Sequence, residues 1–288
     1  MRVVSLFPGA TETIAALGAE HLLVGISHEC DYPATIQKLP RVTRTSIDSA
    51  LGSGAIDRAV RSARAAGRPV IAVDAEALER LDPDLIVTQG LCDVCAVAEG
   101  QAFTIAQRLG GRARVLSLEG RDLQGVLDDV RRLGAALDRP EEADELALGM
   151  RYRLARLRRG APDATPRVLC VEWLDPLYLA GHWVPDLVAA AGGVDAGASP
   201  GEHSRQVPPA ALARLRPDLA IVMLCGFGIE RARTELEAAP LPALGVPVWA
   251  LDGNAYTSRP GPRLPDGARR IQAAMLGREL PGLVRLAP

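Results

Sequence analysis

The chain has 288 residues, enough for one large domain or for two medium-sized domains, each with its own hydrophobic core. Its formal net charge is −2, which excludes a global attraction to nucleic acid or to an anionic membrane. No apolar run reaches the length that a bilayer-spanning helix needs, so membrane insertion is not expected.

Strand and helix patterns alternate through the first part of the chain, as they do in parallel α/β proteins. The first strand is predicted over 3–7, and Thr11 is the expected N-cap of the helix that follows. Residues 34–54 are predicted to be irregular because serine, glycine and proline are frequent there. The other elements of this part are strands over 22–26, 69–73, 85–88 and 114–118 and helices over 56–66, 75–81 and 101–109.

Two long helices are predicted next, over 122–137 and 140–159. Pro140 fits the first turn of the second helix, where its missing N–H group costs nothing. Arginines crowd the C-terminal end of this helix, and we interpret them as a solvated helix end that complements the helix dipole. The alternation then resumes with strands over 167–172, 219–224 and 246–251 and helices over 184–191, 208–215, 229–238 and 266–276.

An internal similarity indicates how the chain is divided. Segments 78–87 and 212–221 both consist of a short helix, a Pro-Asp turn and a buried strand. The predicted fold is therefore α/β, with two Rossmann-like lobes joined by a long backbone helix and a ligand cleft between the lobes. The predicted boundaries are 1–121 for the N-terminal lobe, 122–160 for the linking helices and 161–288 for the C-terminal lobe.

Several short motifs carry a resemblance to a known family. They are Ser5-Leu6-Phe7-Pro8, Thr11-Glu12, Gly25-Ile26-Ser27, Cys30-Asp31-Tyr32-Pro33, Leu81-Asp82-Pro83-Asp84-Leu85-Ile86-Val87 and the stretch 187–193 with its Gly-Gly ending. With these motifs the chain resembles the helical-backbone (class III) substrate-binding proteins of ABC importers, and most of all their vitamin B12-binding branch. The resemblance implies a ligand-binding protein rather than an enzyme, with cobalamin or a related corrinoid as the ligand.

Other features point away from transport. The chain opens directly on a strand without a signal-peptide pattern, and Arg259-Pro260-Gly261-Pro262-Arg263-Leu264 looks like a motif of a cytoplasmic subgroup. The sequence therefore predicts a cytoplasmic protein with a small-molecule ligand and no nucleic-acid partner. An ABC transporter permease is not favoured as a partner.

A cysteine cluster supports a second hypothesis. Cys92 and Cys95 have the C-x-x-C spacing of zinc and iron–sulfur sites, and Cys30 and His28 follow a neighbouring strand. Together these four residues are a candidate metal site for zinc or an iron–sulfur cluster, and this hypothesis is compatible with enzymatic activity. The competing interpretation is that they are small residues lining two turns.

The ligand-binding residues are expected on two walls. Carboxyl ends of parallel strands are where ligands bind, and the candidate residues follow such ends. The first wall is predicted to contain Pro8, Thr11, Glu12, His28, Glu29, Gln89 and Leu91, and the second Glu172, Trp173, His182, Trp183, Tyr256 and Arg259.

Three residue types on the second wall suit a large, flat ligand that contains a metal. Tryptophan faces suit a macrocycle, His182 could ligate cobalt or iron, and Arg259 could bind a carboxylate or amide edge. The competing interpretations are core tryptophans, a histidine at a helix entry and a surface loop stiffened by proline. No catalytic residue is assigned.

Overall fold

A computed structural model describes residues 1–91 and 99–286. The chain forms two compact units. The first comprises Met1–Leu51, Arg58–Gly120 and Gly125–Ala147, and the second comprises Gly52–Asp57, Arg121–Gln124 and Leu148–Pro288. Each unit has an α/β architecture built on a sheet with parallel strands, so the predicted fold class is confirmed.

Short strands alternate with helices up to the middle of the chain, as the sequence predicts. In chain order they are β1 (Val3–Ser5), α1 (Pro8–Ala16), β2 (Leu23–Ile26), β3 (Thr43–Thr45), α2 (Ser53–Ala65), β4 (Ile71–Val73), α3 (Ala75–Leu81), β5 (Leu85–Gln89), α4 (Glu99–Arg108), β6 (Arg114–Leu118), α5 (Leu123–Ala136) and α6 (Pro140–Leu157). Short 3-10 helices occur at Glu20–Leu22 and Ala34–Lys38.

The sheet of the first unit is parallel, with the strand order β2-β1-β5-β6. Its strands are short, and the central strands β1 and β5 are wholly buried because helices cover a parallel sheet on both faces. The apolar core contains Val4, Leu6 and Ile86 from the strands and Leu78 from α3. β3, which lies in the region predicted to be irregular, pairs antiparallel with β4, which lies within the strand predicted over 69–73.

The rest of the chain continues the alternation of strands and helices. The elements are a 3-10 helix at Arg158–Gly160, β7 (Arg167–Trp173), β8 (Tyr178–Leu179), α7 (Val184–Ala191), β9 (Val194–Asp195), β10 (Arg205–Gln206), a 3-10 helix at Pro209–Leu215, β11 (Leu219–Val222), α8 (Ile229–Ala238), β12 (Val248–Leu251), α9 (Gly253–Tyr256), α10 (Leu264–Met275) and β13 (Leu283–Arg285).

The sheet of the second unit has a parallel centre and antiparallel edges. Its order is β10-β8-β7-β11-β12-β13, with β9 pairing beside β8 on the same side of β7. β7, β11 and β12 run parallel, while β8, β10 and β13 run antiparallel to their neighbours. The core contains Leu169, Val171, Ala220 and Val222, which are all fully buried.

The two long helices pack closely at a glycine. A Cβ atom on Gly134 of α5 would lie 2.2 Å from the Cβ of Ala143 on α6, so only glycine allows this approach. The chain passes from the first unit to the second within α6, between Ala147 and Leu148.

The start of the first helix differs from the prediction. α1 begins at Pro8, because the fixed φ of proline suits the first helical turn, and Thr11 lies inside the helix rather than at its N-cap. The N-cap is Phe7, which makes no capping hydrogen bond through its side chain. Among the helices in the described parts of the chain, none combines the length and the hydropathy that crossing a membrane requires.

Candidate functional site

The first unit collects several predicted site residues at one edge of its sheet. β1, β2 and β5 run parallel, and Ser5 pairs in register with Ile26 on one side and Val87 on the other. The segments that follow these strands therefore meet at the carboxyl edge, where ligands bind in open parallel sheets. This edge carries Pro8, Thr11 and Glu12 from α1, His28 and Glu29 from the turn after β2, and Gln89 and Leu91 from β5 and its end.

A buried relay of hydroxyl groups links α1 to the turn after β2. Thr11 Oγ1 donates to Ser5 Oγ at 2.8 Å, and Ser5 Oγ donates to the Phe7 carbonyl at 3.2 Å. Cys30 Sγ lies 3.1 Å from Thr11 Oγ1 and is buried, with 1% exposure. Since each hydroxyl has one hydrogen, the arrangement is satisfied when the Cys30 thiol donates to Thr11. Thr11 and Cys30 are thus part of the buried structure that forms this edge.

His28 is held in one tautomer by Thr43, a residue of β3. Thr43 Oγ1 donates its hydrogen to Ser27 Oγ at 3.1 Å and accepts the His28 backbone N–H at 2.9 Å. The Nδ1 atom of His28 lies 2.7 Å from the same oxygen, so Nδ1 carries the hydrogen and Nε2 carries the lone pair. Nε2 is buried and has no hydrogen-bond partner in the described parts of the chain.

Burial lowers the pKa of His28, and the positive charge of Arg41 lowers it further. The imidazole is therefore neutral at pH 7. Arg41 Nη1 also donates to the carbonyl groups of Ser27, at 3.0 Å, and of Cys30. One guanidinium thus fixes the turn that carries His28, and it adds to the effect of burial in disfavouring the charged ring.

The remaining residues of the first wall differ in exposure. Glu12 and Gln89 are buried, with 3% and 8% exposure, and Pro8 is buried as well. Leu91 is half-buried and Glu29 is exposed. Their roles in ligand binding stay predictions.

The proposed metal cluster falls partly outside the described residues, since Cys92 and Cys95 lie in 92–98. Within residues 1–91 and 99–286, no group of three or more His, Cys, Asp or Glu side chains is placed to hold a metal ion. Neither a zinc nor an iron–sulfur site is therefore supported by the described structure.

The second unit also gathers predicted residues at a carboxyl edge. β7, β11 and β12 run parallel, so the segments after Trp173, Val222 and Leu251 share one end of the sheet. Glu172 and Trp173 close β7, and both are half-buried. Tyr256 lies on α9, and Arg259 follows it.

An aromatic and cationic stack forms at this edge. The rings of Trp173 and Phe227 meet edge to face with centroids 5.3 Å apart. The guanidinium of Arg231, on α8, lies 3.6 Å from the centroid of Phe227. The Trp173 Nε1–H donates to the Asp175 carbonyl at 3.0 Å, which fixes the ring. We name these three side chains, Trp173, Phe227 and Arg231, the aromatic stack.

The segment after β12 is held by side-chain contacts and is rich in arginine. Asp252 caps α9 by accepting the Ala255 N–H at 2.8 Å, and burial raises the pKa of its carboxyl group. The guanidinium of Arg270 stacks on Tyr256, 3.4 Å from the ring centroid. Arg259 is buried, with 6% exposure, and donates to Asn254 Oδ1 at 2.8 Å. Tyr256 and Arg259 thus have defined positions, and their contact with a ligand stays a prediction.

His182 and Trp183 have different environments. Trp183 is buried, with 6% exposure, and its Nε1–H donates to the Thr257 carbonyl at 2.8 Å. His182 has a left-handed backbone, with φ of 55°, and its ring lies edge-on to His203 with centroids 5.3 Å apart. Burial lowers the pKa of His182 to about 4, with His203 and Arg121 adding to the effect. Its Nε2 atom is buried without a partner in the described structure.

The sequence reasoning missed several residues that shape these edges, namely Arg41, Thr43, Phe227, Arg231 and Arg270. Phe227 could have been found, because it is one of three phenylalanines in the chain and follows a predicted strand. Thr43 gave no signal, because its partner His28 lies fifteen positions away, across a region predicted to be irregular.

Comparison with known proteins identifies the family. A family model described as periplasmic binding protein matches residues 3–243, which is most of the chain. A vitamin B12-binding protein of Pectobacterium carotovorum is 24% identical over 276 residues, covering 94% of this chain and 86% of the relative.

Solved structures share the fold along the whole chain. A periplasmic haem-binding protein from Pseudomonas aeruginosa aligns with a TM-score of 0.73 and 23% identity, covering 100% of this chain and 98% of that one. A periplasmic vitamin B12-binding protein of Vibrio cholerae aligns with a TM-score of 0.64 and 21% identity, covering 96% of each chain.

These findings overturn the predicted cytoplasmic location, because the matching family is one of periplasmic proteins. The prediction was wrong because it relied on the pattern of an export signal, which is not part of a folded domain. The residues of the folded units do not indicate the compartment. The resemblance seen in the sequence is confirmed: the chain belongs to the periplasmic binding protein family and is a substrate-binding protein of that kind.

Proposed function

We propose that this protein binds a metal-centred macrocycle, a corrinoid or a haem, and that His28 contacts the metal. The observation that carries the proposal is the Nε2 atom of His28, which is a buried, neutral acceptor without a partner in the described structure. A buried polar atom left unsatisfied costs about 1–3 kcal/mol, so such an atom calls for a group that binds there.

The chemistry of this nitrogen fits a metal. Neutral imidazole ligates metals through one nitrogen while the other donates to a fixed acceptor, which sets the ring orientation. At His28 the acceptor is Thr43 Oγ1, 2.7 Å from Nδ1. A single nitrogen suits a metal whose equatorial positions are filled by a macrocycle, because only an axial position then needs a protein ligand.

The second unit contributes features that suit a planar ligand. The aromatic stack places the half-buried Trp173 ring and the Arg231 guanidinium against the buried Phe227 ring at the carboxyl edge of the sheet. Aromatic faces and a stacked guanidinium favour a flat π-system. His182 offers a second neutral imidazole with an unpartnered Nε2 atom in the described structure.

The names of similar proteins support the same ligand class. The relatives described above are named as binding vitamin B12 or haem, and both ligands are macrocycles with a central metal. We further propose that the chain delivers its ligand to an ABC transporter permease, a partner typical of its family.

The test is a titration of the purified protein with aquocobalamin and, separately, with ferric haem. Both carry an exchangeable axial position, so imidazole ligation shifts the visible absorption bands. We expect saturable binding of one of the two, and the binding ligand identifies the macrocycle. His28→Ala should remove the shift and weaken binding about 10–100-fold.

His21 provides a matched control. It is exposed on the 3-10 helix Glu20–Leu22, so His21→Ala deletes the same group without touching the edge. Binding that is unchanged in both variants would remove His28 from the site. Absence of saturable binding to either macrocycle would overturn the proposal.

A further inference from the structure

The C-terminal half of α6 exposes apolar side chains to an unusual degree. Leu148 is 58% exposed and Tyr152 is 63% exposed, and these are the two most exposed large hydrophobic side chains in the described parts of the chain. They are four positions apart on one helix, so they lie side by side on the same face. Single, scattered apolar side chains are ordinary on protein surfaces, but these two exposed side chains lie together.

Arginines surround this pair. Arg156 follows Tyr152 by one turn, and its guanidinium lies 5.8 Å from the Tyr152 ring centroid. Arg158 and Arg159 form the 3-10 helix that continues α6. We name the surface formed by Leu148, Arg151, Tyr152, Arg156, Arg158 and Arg159 the basic patch.

The charge of the basic patch is not neutralised locally. Arg153, on the same helix, is paired with Asp266, and Arg151 donates to the neutral Gln124 Oε1. In the described structure no carboxylate lies within ion-pair distance of Arg156, Arg158 or Arg159. The nearest acidic residues in sequence are Glu145 and Asp163, at its two ends. The basic patch therefore has a local excess of positive charge, although the net charge of the chain is −2.

The helix dipole does not account for this composition. One or two cations in the last turn suffice to complement the dipole, and the effect fades within that turn. The dipole does not explain why Tyr152, about one turn earlier, and Leu148, about two turns earlier, are exposed. Apolar and aromatic side chains next to arginines are instead the pattern of helices that lie in the interface of an anionic membrane.

We propose that the basic patch docks on a membrane surface that contains anionic phospholipid headgroups. The arginines would bind the phosphate groups, while Leu148 and Tyr152 would enter the boundary of the acyl chains. A lipid surface is favoured over a protein partner because the patch is one convex helix face. Specific protein interfaces need about 800 Å² per partner with close shape complementarity, whereas a lipid surface adapts to the helix. Docking would keep the binding protein beside the membrane.

The proposal is tested by co-sedimentation of the full chain with vesicles. One set contains phosphatidylcholine alone, and the other contains phosphatidylcholine mixed with phosphatidylglycerol. We expect binding only to the anionic vesicles, and weaker binding as the salt concentration rises above about 0.15 M. The variant R156E/R158E/R159E should bind about 100-fold more weakly, since each basic residue near the surface contributes about 1 kcal/mol.

A matched control separates the patch from total charge. R58E/R64E/R68E changes the net charge by the same amount at exposed arginines of α2 and the turn after it, and it should bind like the unchanged chain. L148S/Y152S, which alters no charge, should also weaken binding. Equal losses in the two arginine variants, or no binding of the unchanged chain to anionic vesicles, would overturn the proposal. Circular dichroism of each variant checks that it is folded.

Discussion

The Nδ1 atom of His28 lies 2.7 Å from the hydroxyl oxygen of Thr43, and this contact decides which ring nitrogen can accept a ligand. The Thr43 hydrogen is donated to Ser27, so the contact requires a hydrogen on Nδ1. The lone pair is then on Nε2, which has no partner in the described structure. A residue of β3 thereby sets the chemistry of a turn after β2.

Removing the Thr43 hydroxyl should weaken ligand binding. Thr43→Val keeps the shape but frees the imidazole to change tautomer, and we expect about tenfold lower affinity for the macrocycle together with a smaller shift of its visible bands. Thr43→Ser keeps the hydroxyl and should restore both. Thr45→Val is the control, since Thr45 lies on the same strand but donates to the Val70 carbonyl. Equal affinities of Thr43→Val and Thr45→Val would contradict the assignment.

Local elements were predicted well where the signals lie close together in the sequence. Pro140, followed by acidic residues, marked the start of α6, and the apolar run after Asp84 marked β5. Thr11 was misassigned because Pro8, three positions earlier, already starts the helix. The two-residue strands β8, β9 and β10 are too short to show any period.

The sites were less predictable because their contacts join distant residues. The sequence placed His28 and Trp173 at strand ends, where the structure has them. It could not reveal that Thr43 fixes one of them or that Phe227 and Arg231 stack beside the other. Such contacts depend on which loops the fold brings together, and the periodicity of the sequence does not show which loops these are.

His182 should make the folded state less stable in mild acid. Its pKa is about 4 in the folded state, against an ordinary value of 6.5. Between these values the unfolded chain binds the proton and the folded chain does not, so stability falls as the pH falls from about 6.5 to about 4. We expect a contribution on the order of 1 kcal/mol, after allowing for solvent screening of a partly exposed group.

Urea denaturation at about pH 7 and about pH 4.5 measures this effect. His182→Asn removes the titrating group and suits the left-handed backbone, so the loss of stability in acid should be smaller than in the unchanged chain. His21→Asn, at an exposed histidine, should lose as much stability between the two pH values as the unchanged chain does. An identical pH dependence in the unchanged chain and in His182→Asn would show that burial does not displace the titration of His182.

Gly134 and Gly149 should respond in opposite directions to the same substitution. Gly134→Ala places a methyl group 2.2 Å from the Cβ of Ala143, so α5 and α6 must separate, at a cost of about 1–3 kcal/mol. At Gly149, on α6, nothing lies within 4 Å of the new methyl group. Gly149→Ala should therefore stabilise the chain by up to about 1 kcal/mol through helix propensity. Thermal denaturation of the two variants shows whether each substitution raises or lowers the stability of the chain. A stabilised Gly134→Ala variant would contradict the close packing.

Trp183 and Trp249 are both buried tryptophans, but only Trp183 uses its N–H group within the described structure. Trp183 donates to the Thr257 carbonyl at 2.8 Å, whereas Trp249 Nε1 has no partner there. Replacement by phenylalanine shrinks both side chains, but only Trp183→Phe leaves a carbonyl oxygen without its donor. The free energy of unfolding should therefore fall by about 1 kcal/mol or more beyond the loss in Trp249→Phe. Urea denaturation of the two variants measures the difference. Equal losses would mean that the hydrogen bond to Thr257 does not stabilise the segment between α9 and α10, on which Arg259 lies.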